Sequence, residues 1–394
     1  MARTRRVAEP SPADLAPGKA RRPEAKAFAE IAAKSKSFRP AREVLRRVRA
    51  VPSIFPSVDR ATRVGGWPID RIAVVHGPSA AGKTLFAHGL GLSFLRRGHM
   101  YCLLDVEMTT PQPWMETLFG EYADNPAFIA SRPKTYEQAV NDVRKVAEGV
   151  AEQREKGRLP PDTTALFVVD SIRKLVPEDI QARIKKLGAE GEKGSVDGFS
   201  GAAGRMRAAL NAAWLDELVP LMGHTGCAML FVGRESDDPT ADARDRQFGN
   251  DWKLTGGRAL YFDSSMVVRV SRASMVFEGP EGDKLAVGEK HLVEIHKTKV
   301  SARQDRVERA YFHTSSGAKY PEGFDRARDV FHLADEVGVW KTSGAWRSFG
   351  RKRWQGEARF VATAELADLD AIEAACREKF GDLVKERSDI VGGT

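Results

Sequence analysis

Four short apolar runs set the pattern of the chain: Ile72-Ala73-Val74-Val75, residues 100–106, residues 164–169 and residues 227–232. Each is nearly continuous, as expected of strands buried on both faces of a parallel sheet. Helical spacing fills the intervals. One helix is predicted from Lys83 through Gly91 and another from Thr135 to about Lys156. A long third helix, 202–222, sets Met206, Leu210, Trp214, Leu218 and Leu221 on one stripe. Two β-branched stretches, 265–270 and 291–297, extend the sheet. Strand and helix alternate, and polar residues collect at the strand C-termini. That predicts an α/β fold with a doubly wound, mostly parallel sheet and a site at its carboxyl edge. From about Asp325 the pattern turns to short helices around an aromatic and basic middle containing Trp340, Trp346, Phe349, Arg351, Lys352, Arg353 and Trp354. A core over residues 51–324 and a small C-terminal α/β domain over 325–394 are therefore expected. Residues 186–201 and 236–257 read as polar loops.

Charge changes the picture at one end. The net charge is +8, and residues 1–50 hold fourteen basic against five acidic side chains, enough to account for the whole excess. This segment reads as a basic arm, partly disordered, with apolar stripes around Phe28 and Ile31 that suit either docking to a neighbouring subunit or covering their own domain. The three cysteines, Cys102, Cys227 and Cys376, are far apart and lack the spacing of a zinc site, so a reducing compartment fits. With no apolar run long enough for a membrane span and no secretory signal, a cytoplasmic protein is expected.

The chemistry gathers where the first strand ends. Gly77-Pro78-Ser79-Ala80-Ala81-Gly82-Lys83-Thr84, followed by Leu85, is G-x-x-x-x-G-K-T between a strand and a helix. The glycines permit a tight wrap that points backbone N–H groups at a phosphate, and the helix adds the positive end of its dipole. Lys83 suits the β- and γ-phosphates and the Thr84 hydroxyl suits Mg²⁺. A triphosphate site also calls for strand-end carboxylates. Asp170 fits as a partner of Mg²⁺ through water, and Glu107 as the group that polarises the attacking water. Ser171 fits either the γ-phosphate region or a helix cap. Trp114 fits either stacking on adenine or anchoring the core.

Taken together, these residues resemble the RecA family of ATP-dependent DNA recombinases. The resemblance runs from about Val51 past Trp354. Besides the P-loop, Glu107 and Asp170-Ser171, it includes Val51-Pro52-Ser53-Ile54, Gly204-Arg205-Met206, Phe231-Val232, Phe248-Gly249-Asn250, Thr255-Gly256-Gly257, Lys297-Thr298-Lys299 and Gly344-Ala345-Trp346. It implies a RecA-like core that binds ATP with Mg²⁺ and forms a helical homo-oligomeric filament on single-stranded DNA. Such a filament pairs its strand with double-stranded DNA, with single-strand-binding or loader proteins as possible partners. The DNA-contacting set implied is Arg205, Arg244, Arg246, Phe248, Gly249, Asn250, Trp252, Lys253, Thr255, Gly256, Gly257 and Arg258; charge and two aromatics in a polar loop also fit that role. Lys297 and Lys299 are implied to reach the γ-phosphate of a neighbouring subunit. One position departs from the family, which usually carries Gln where Arg234 stands; a cation there can contact the γ-phosphate or pair with Glu235. The divergence points to a bacteriophage-type relative, placing the protein at a nucleoid or in infected bacterial cytoplasm. A hexameric helicase on the same core, or an ATP-binding DNA filament or mediator protein without significant hydrolysis, are the alternatives.

Overall fold

The computed structural model describes residues 48–178, 196–237, 242, 252–254, 258–278, 282–301, 308–314 and 323–392, with residues 27, 30–32 and 34; at 173, 196–210, 237, 258, 278, 308–314 and 380–392 it describes the backbone alone. The chain divides into two compact units, 1–47 and 48–394. In the first, Ile31 is exposed. Most of the expected basic arm lies outside the described residues.

The second unit opens with Ala50–Val51 (β1), helix Pro56–Thr62 (α1) and Trp67–Pro68 (β2), β1 and β2 pairing antiparallel. Next come Arg71–His76 (β3), Lys83–Leu95 (α2), Met100–Asp105 (β4), Gln112–Phe119 (α3), Phe128–Ser131 (β5), Tyr136–Glu155 (α4) and Ala165–Asp170 (β6). Val196–Thr225 (α5) then leads to Ala228–Val232 (β7). A small antiparallel ribbon, Glu235–Asp237 (β8) with Trp252–Leu254 (β9), precedes Arg258–Asp263 (α6). Met266–Glu278 (β10), Leu285–Thr298 (β11), Glu308–Thr314 (β12) and Gly323–Phe324 (β13) complete a nine-stranded sheet in the order β13-β12-β11-β10-β3-β7-β6-β4-β5. From β10 to β5 the pairing is parallel, and from β10 to β13 it is antiparallel.

Period-two alternation explains how the apolar strands serve two cores. Ala73, Val75, Leu103, Leu166 and Val168 face one side, where α2 packs with Phe55, Phe86 and Phe94. Ile72, Val74, Cys102, Leu104, Phe167 and Val169 face the other, against α4 and the Trp214, Leu218 and Met222 stripe of α5. Helix α2 is buried from Leu85 to Leu95, which is why its sequence is apolar all round. Helix α4 starts where Thr135 accepts the Gln138 N–H, an N-cap the Thr-Tyr-Glu-Gln sequence supplies.

Two elements run longer than the pattern predicts. Helix α5 begins at Val196 rather than 202 and ends at Thr225, its first turns carrying Gly198, Ser200 and Gly201, which read as loop. Strands β10 and β11 run well past 270 and begin well before 291 as a projecting hairpin. Met275, Phe277 and Leu285 are exposed there, so no inside–outside alternation signals the strands, and backbone pairing carries them.

Beyond β13, Arg326–Val337 (α7), the three-stranded sheet Lys341–Ser343 (β14), Trp346–Phe349 (β15) and Lys352–Gln355 (β16), then Gly356–Thr363 (α8) and Leu366–Gly392 (α9), form a lobe with its own core. Trp340 and Trp354 are buried in that core against Phe331 and Phe360, whereas Trp346 is half-buried under the Arg353 guanidinium at 4.1 Å. Buried polar contacts join the lobe to α1: the Ser57 hydroxyl donates to Asp329, and Arg377 meets Asp59 at 2.9 Å.

Candidate nucleotide-binding site

The parallel strands β3, β6 and β4 deliver their C-terminal residues to one edge of the sheet. At β3 the backbone wraps through Gly77 (φ 151°) and Gly82 (φ 87°) into α2. A Cβ at Gly77 would meet the Val270 carbonyl oxygen at 2.0 Å, so the close approach of loop and β10 requires glycine. Lys83 folds back over this loop, its ammonium donating to the carbonyls of Gly77, at 2.9 Å, and Pro78. Burial lowers the Lys83 pKa, against the raising influence of Glu235, Asp170 and Glu107.

Asp170, at the end of β6, accepts the Thr84 hydroxyl at 2.6 Å. Burial pushes its carboxyl up to about 6, with Glu107 and Asp105 adding to the rise and the Thr84 bond and Lys83 opposing it. Hydroxyl and carboxylate thus stand together at the head of α2, a donor set that fits Mg²⁺. Among the described residues no cluster of three or more His, Cys, Asp or Glu side chains could hold a metal by itself. A site of this kind suits an ion that arrives with phosphate oxygens and keeps water ligands.

Glu107 follows β4, and the N–H groups of Val106 and Glu107 both donate to the Asp170 carbonyl, at 2.8 and 3.1 Å, locking the two strand ends together. The Ser171 hydroxyl donates to Glu107 Oε1 at 2.6 Å. Ser171 sits at the N-cap of the short turn Ile172–Lys174 without a side-chain cap bond, so the helix-cap expectation does not hold, and its hydroxyl orients Glu107. Arg234 reaches a different carboxylate from the expected Glu235. Its Nη2 reaches Glu107 Oε1 at 3.1 Å and Oε2 at 2.9 Å, whereas Glu235 is held by His76 Nδ1 at 3.0 Å and Arg269 Nε at 2.7 Å. Burial alone would raise Glu107, but the Ser171 bond and the Arg234 charge outweigh it and leave the group below its ordinary value. Glu235 follows the same logic, its His76 and Arg269 contacts overcoming burial to bring it to about 2.

A pocket of about 430 Å³, within the size range of small-molecule sites, opens along Ala80, Ala81, Gly82, Lys83, Thr84 and Leu85. Trp114, on α3, lines it while packing edge-on against His88 at 5.3 Å and against the core beneath α2. Pro78 and Ser79 are exposed at the loop tip. The opposite wall comes from the long hairpin. Arg272 Nη2 donates to the Ala80 carbonyl at 3.0 Å and its Nε pairs with Glu289, while His291 Nδ1 donates to the Ala81 carbonyl at 3.0 Å. Sequence reasoning missed Arg272 and His291, because about two hundred residues separate them from the loop and no local motif marks them.

Lys297 and Lys299 bond within their own chain. Both ammonium groups donate to the Phe262 carbonyl, at 2.8 and 2.6 Å, and Lys297 also to that of Tyr261, satisfying the C-terminal end of α6. Burial and the adjacent Lys299 lower Lys297 to about 8. Trp252 differs from its expected role in stacking on bases: it is half-buried, its ring 4.3 Å from that of His76 and 5.1 Å from that of His296, and so anchors β9 beneath the P-loop strand. Lys253 is exposed. Arg244, Arg246, Phe248, Gly249, Asn250, Thr255, Gly256 and Gly257, the stretch 186–195, and the side chains of Arg205 and Arg258 lie outside the described residues.

Among the described residues no helix is long and apolar enough to cross a membrane. The family model for the RecA N-terminal domain matches residues 34–316. The chain is 28% identical to Protein RecA of Geobacter sulfurreducens over 79% of each chain, and 28% identical to Protein RecA of Aquifex pyrophilus over 88% of this chain and 87% of that one. Protein RecA of Halalkalibacterium halodurans is likewise 28% identical, over 85% and 84%. With a match covering most of its length and a P-loop, Asp170 and Glu107 gathered at the edge of a doubly wound sheet, the chain belongs to the RecA family.

Proposed function

We propose that the protein is an ATP-dependent DNA recombinase that forms helical filaments on single-stranded DNA and catalyses homologous pairing and strand exchange with duplex DNA. The observation that carries this reading is the assembly of Lys83, Thr84, Asp170 and Glu107 around one pocket in a chain of this family. In it the P-loop N–H groups and Lys83 cradle the ATP phosphates, Trp114 and Arg272 flank the base, and Glu107 accepts the proton of the attacking water. Thr84 and, through water, Asp170 hold Mg²⁺, which neutralises charge on the phosphate oxygens.

Residues 236–257 other than Trp252, with the side chains of Arg205 and Arg258, form the DNA surface, with single-strand-binding or loader proteins as accessory partners. Lys297 and Lys299 leave the end of α6 to meet ATP bound by the next subunit. The domains follow the boundaries 1–50, 51–324 and 325–394. Distance from the bacterial relatives fits a bacteriophage-type member acting in the bacterial cytoplasm.

Strand exchange between a circular single strand and homologous linear duplex, with ATP and Mg²⁺, tests the reading. Joint molecules and open helical filaments are expected; closed rings that unwind DNA directionally would point to a helicase. The Glu107–Arg234 pair is the one observation favouring an ATP-binding filament protein with little hydrolysis, and ATP turnover that fails to rise with single-stranded DNA would support it.

A further inference from the structure

The geometry points to Arg234 as a positioning residue that holds Glu107 back from catalysis and releases it when the terminal phosphate of a nucleoside triphosphate competes for the guanidinium. This rests on the reading of Glu107 as the base for ATP hydrolysis. In that step the Glu107 carboxylate takes a proton from water as the water oxygen bonds to the γ-phosphorus and the bond to the bridging oxygen breaks, releasing ADP and phosphate. A carboxylate has about four lone-pair sites. Arg234 Nη2 lies against both Glu107 oxygens and the Ser171 hydroxyl takes a further site, so three contacts already bind the group that must receive water.

The pair is asymmetric in a way that suits release. The Glu107 side chain is 13% exposed and that of Arg234 47%, so the guanidinium can swing away while the carboxylate stays in place. An ion pair this open to solvent is a weak restraint, and a phosphate offers the fork-shaped guanidinium a more highly charged, bidentate partner.

The backbone around Arg234 ties the contact to the rest of the site. Gly233 N–H donates to the Val75 carbonyl at 2.8 Å, one strand residue before the P-loop. Glu235, the next residue, opens the β8–β9 ribbon and is pinned by His76 and by Arg269 of β10. Arg234 therefore sits between two fixed neighbours, and from there its side chain reaches Glu107. Lys83, Lys174 and Asp170 act on Glu107 electrostatically as well, but Arg234 is the cation in direct contact with it.

The test is ATP turnover of the full chain without DNA and with saturating single-stranded DNA, for wild type, Arg234→Gln and Arg234→Lys. Arg234→Gln is expected to raise DNA-independent kcat several-fold and bring the ratio of DNA-stimulated to basal turnover towards one. Arg234→Lys, which keeps a cation facing Glu107 but loses the guanidinium fork, is expected to raise basal turnover less than Arg234→Gln does. The gain must also vanish in Glu107→Gln/Arg234→Gln, a dependence that a merely structural role for Arg234 would not produce. Fluorescent ATP binding and the melting temperature of each variant verify folding. Basal turnover that is unchanged or lower in folded Arg234→Gln overturns the inference. If wild type hydrolyses no ATP even on single-stranded DNA, the hydrolytic recombinase reading fails instead; turnover appearing only in Arg234→Gln would then still support the latch.

Discussion

The strand-end site and the junction with the C-terminal lobe both bury carboxylates, and they use them in opposite ways. Asp170 and Asp329 are almost equally inaccessible, and burial is the main force raising both, to about 6 and about 8. Asp170 has a hydroxyl and the Lys83 ammonium on its side, so its charge stays within reach of neutral pH. Asp329 has the Ser57 hydroxyl and, as Asp170 does in Glu107 and Asp105, two acidic neighbours, Glu373 and Asp59, and is held neutral. Asp59, equally buried, is drawn back towards ionisation by Arg377 and by two bonds from Ser53. What faces a buried carboxylate decides its role more than depth does. The site keeps charge that can be used, and the junction either neutralises charge or pairs it.

If that contrast holds, junction variants should lose stability and site variants should lose chemistry. The largest effect is expected from Arg377→Ala, which leaves Asp59 buried without its cation and should cost about 3–5 kcal/mol in urea unfolding. A cost under about 1 kcal/mol would break the comparison. Lys83→Ala should lower ATP turnover by roughly 10²–10³-fold with little change in the urea midpoint, since it removes a donor to developing phosphate charge. Asp329→Asn should act through pH. The native carboxyl keeps its proton up to about 8, whereas an unfolded one loses it near 4. Wild-type stability should therefore fall as pH rises through that window, and the asparagine variant should show a flatter profile in melting temperature. The smallest effect belongs to Trp114→Ala, which removes one wall of the pocket and should raise the ATP KM on the order of tenfold.

The sequence made legible whatever is local. Buried parallel strands announce themselves as apolar runs, so β3, β4, β6 and β7 fell within a residue or two of their predicted places. G-x-x-x-x-G-K-T and the strand-end Asp170 and Glu107 were likewise readable, because position in a strand fixes where a side chain emerges. Contacts across long chain separation were not. Arg234 lies 127 residues from Glu107, and Arg272 lies 192 from Ala80. Glu235, as the immediate neighbour, looked like the natural partner of Arg234 until the fold gave it to His76 and Arg269. Trp252 shows the same limit: an aromatic in a polar stretch reads as exposed, and only the pairing of β9 with β8 turns it beneath the P-loop strand.

The long hairpin leaves a mark on which positions of the phosphate loop can drift. Arg272 and His291 grip the loop through the carbonyl oxygens of Ala80 and Ala81, atoms every residue type possesses. A grip on backbone atoms is blind to side-chain identity, so the exposed position 79 can change while the hairpin keeps its hold, whereas Ala80, at φ 56°, lies in the left-handed region that restricts what can replace it. Gly77 has no such latitude, because the Val270 carbonyl already fills the place of its missing methyl group. Within eight residues the loop thus combines a position open to substitution with one that β10 has closed.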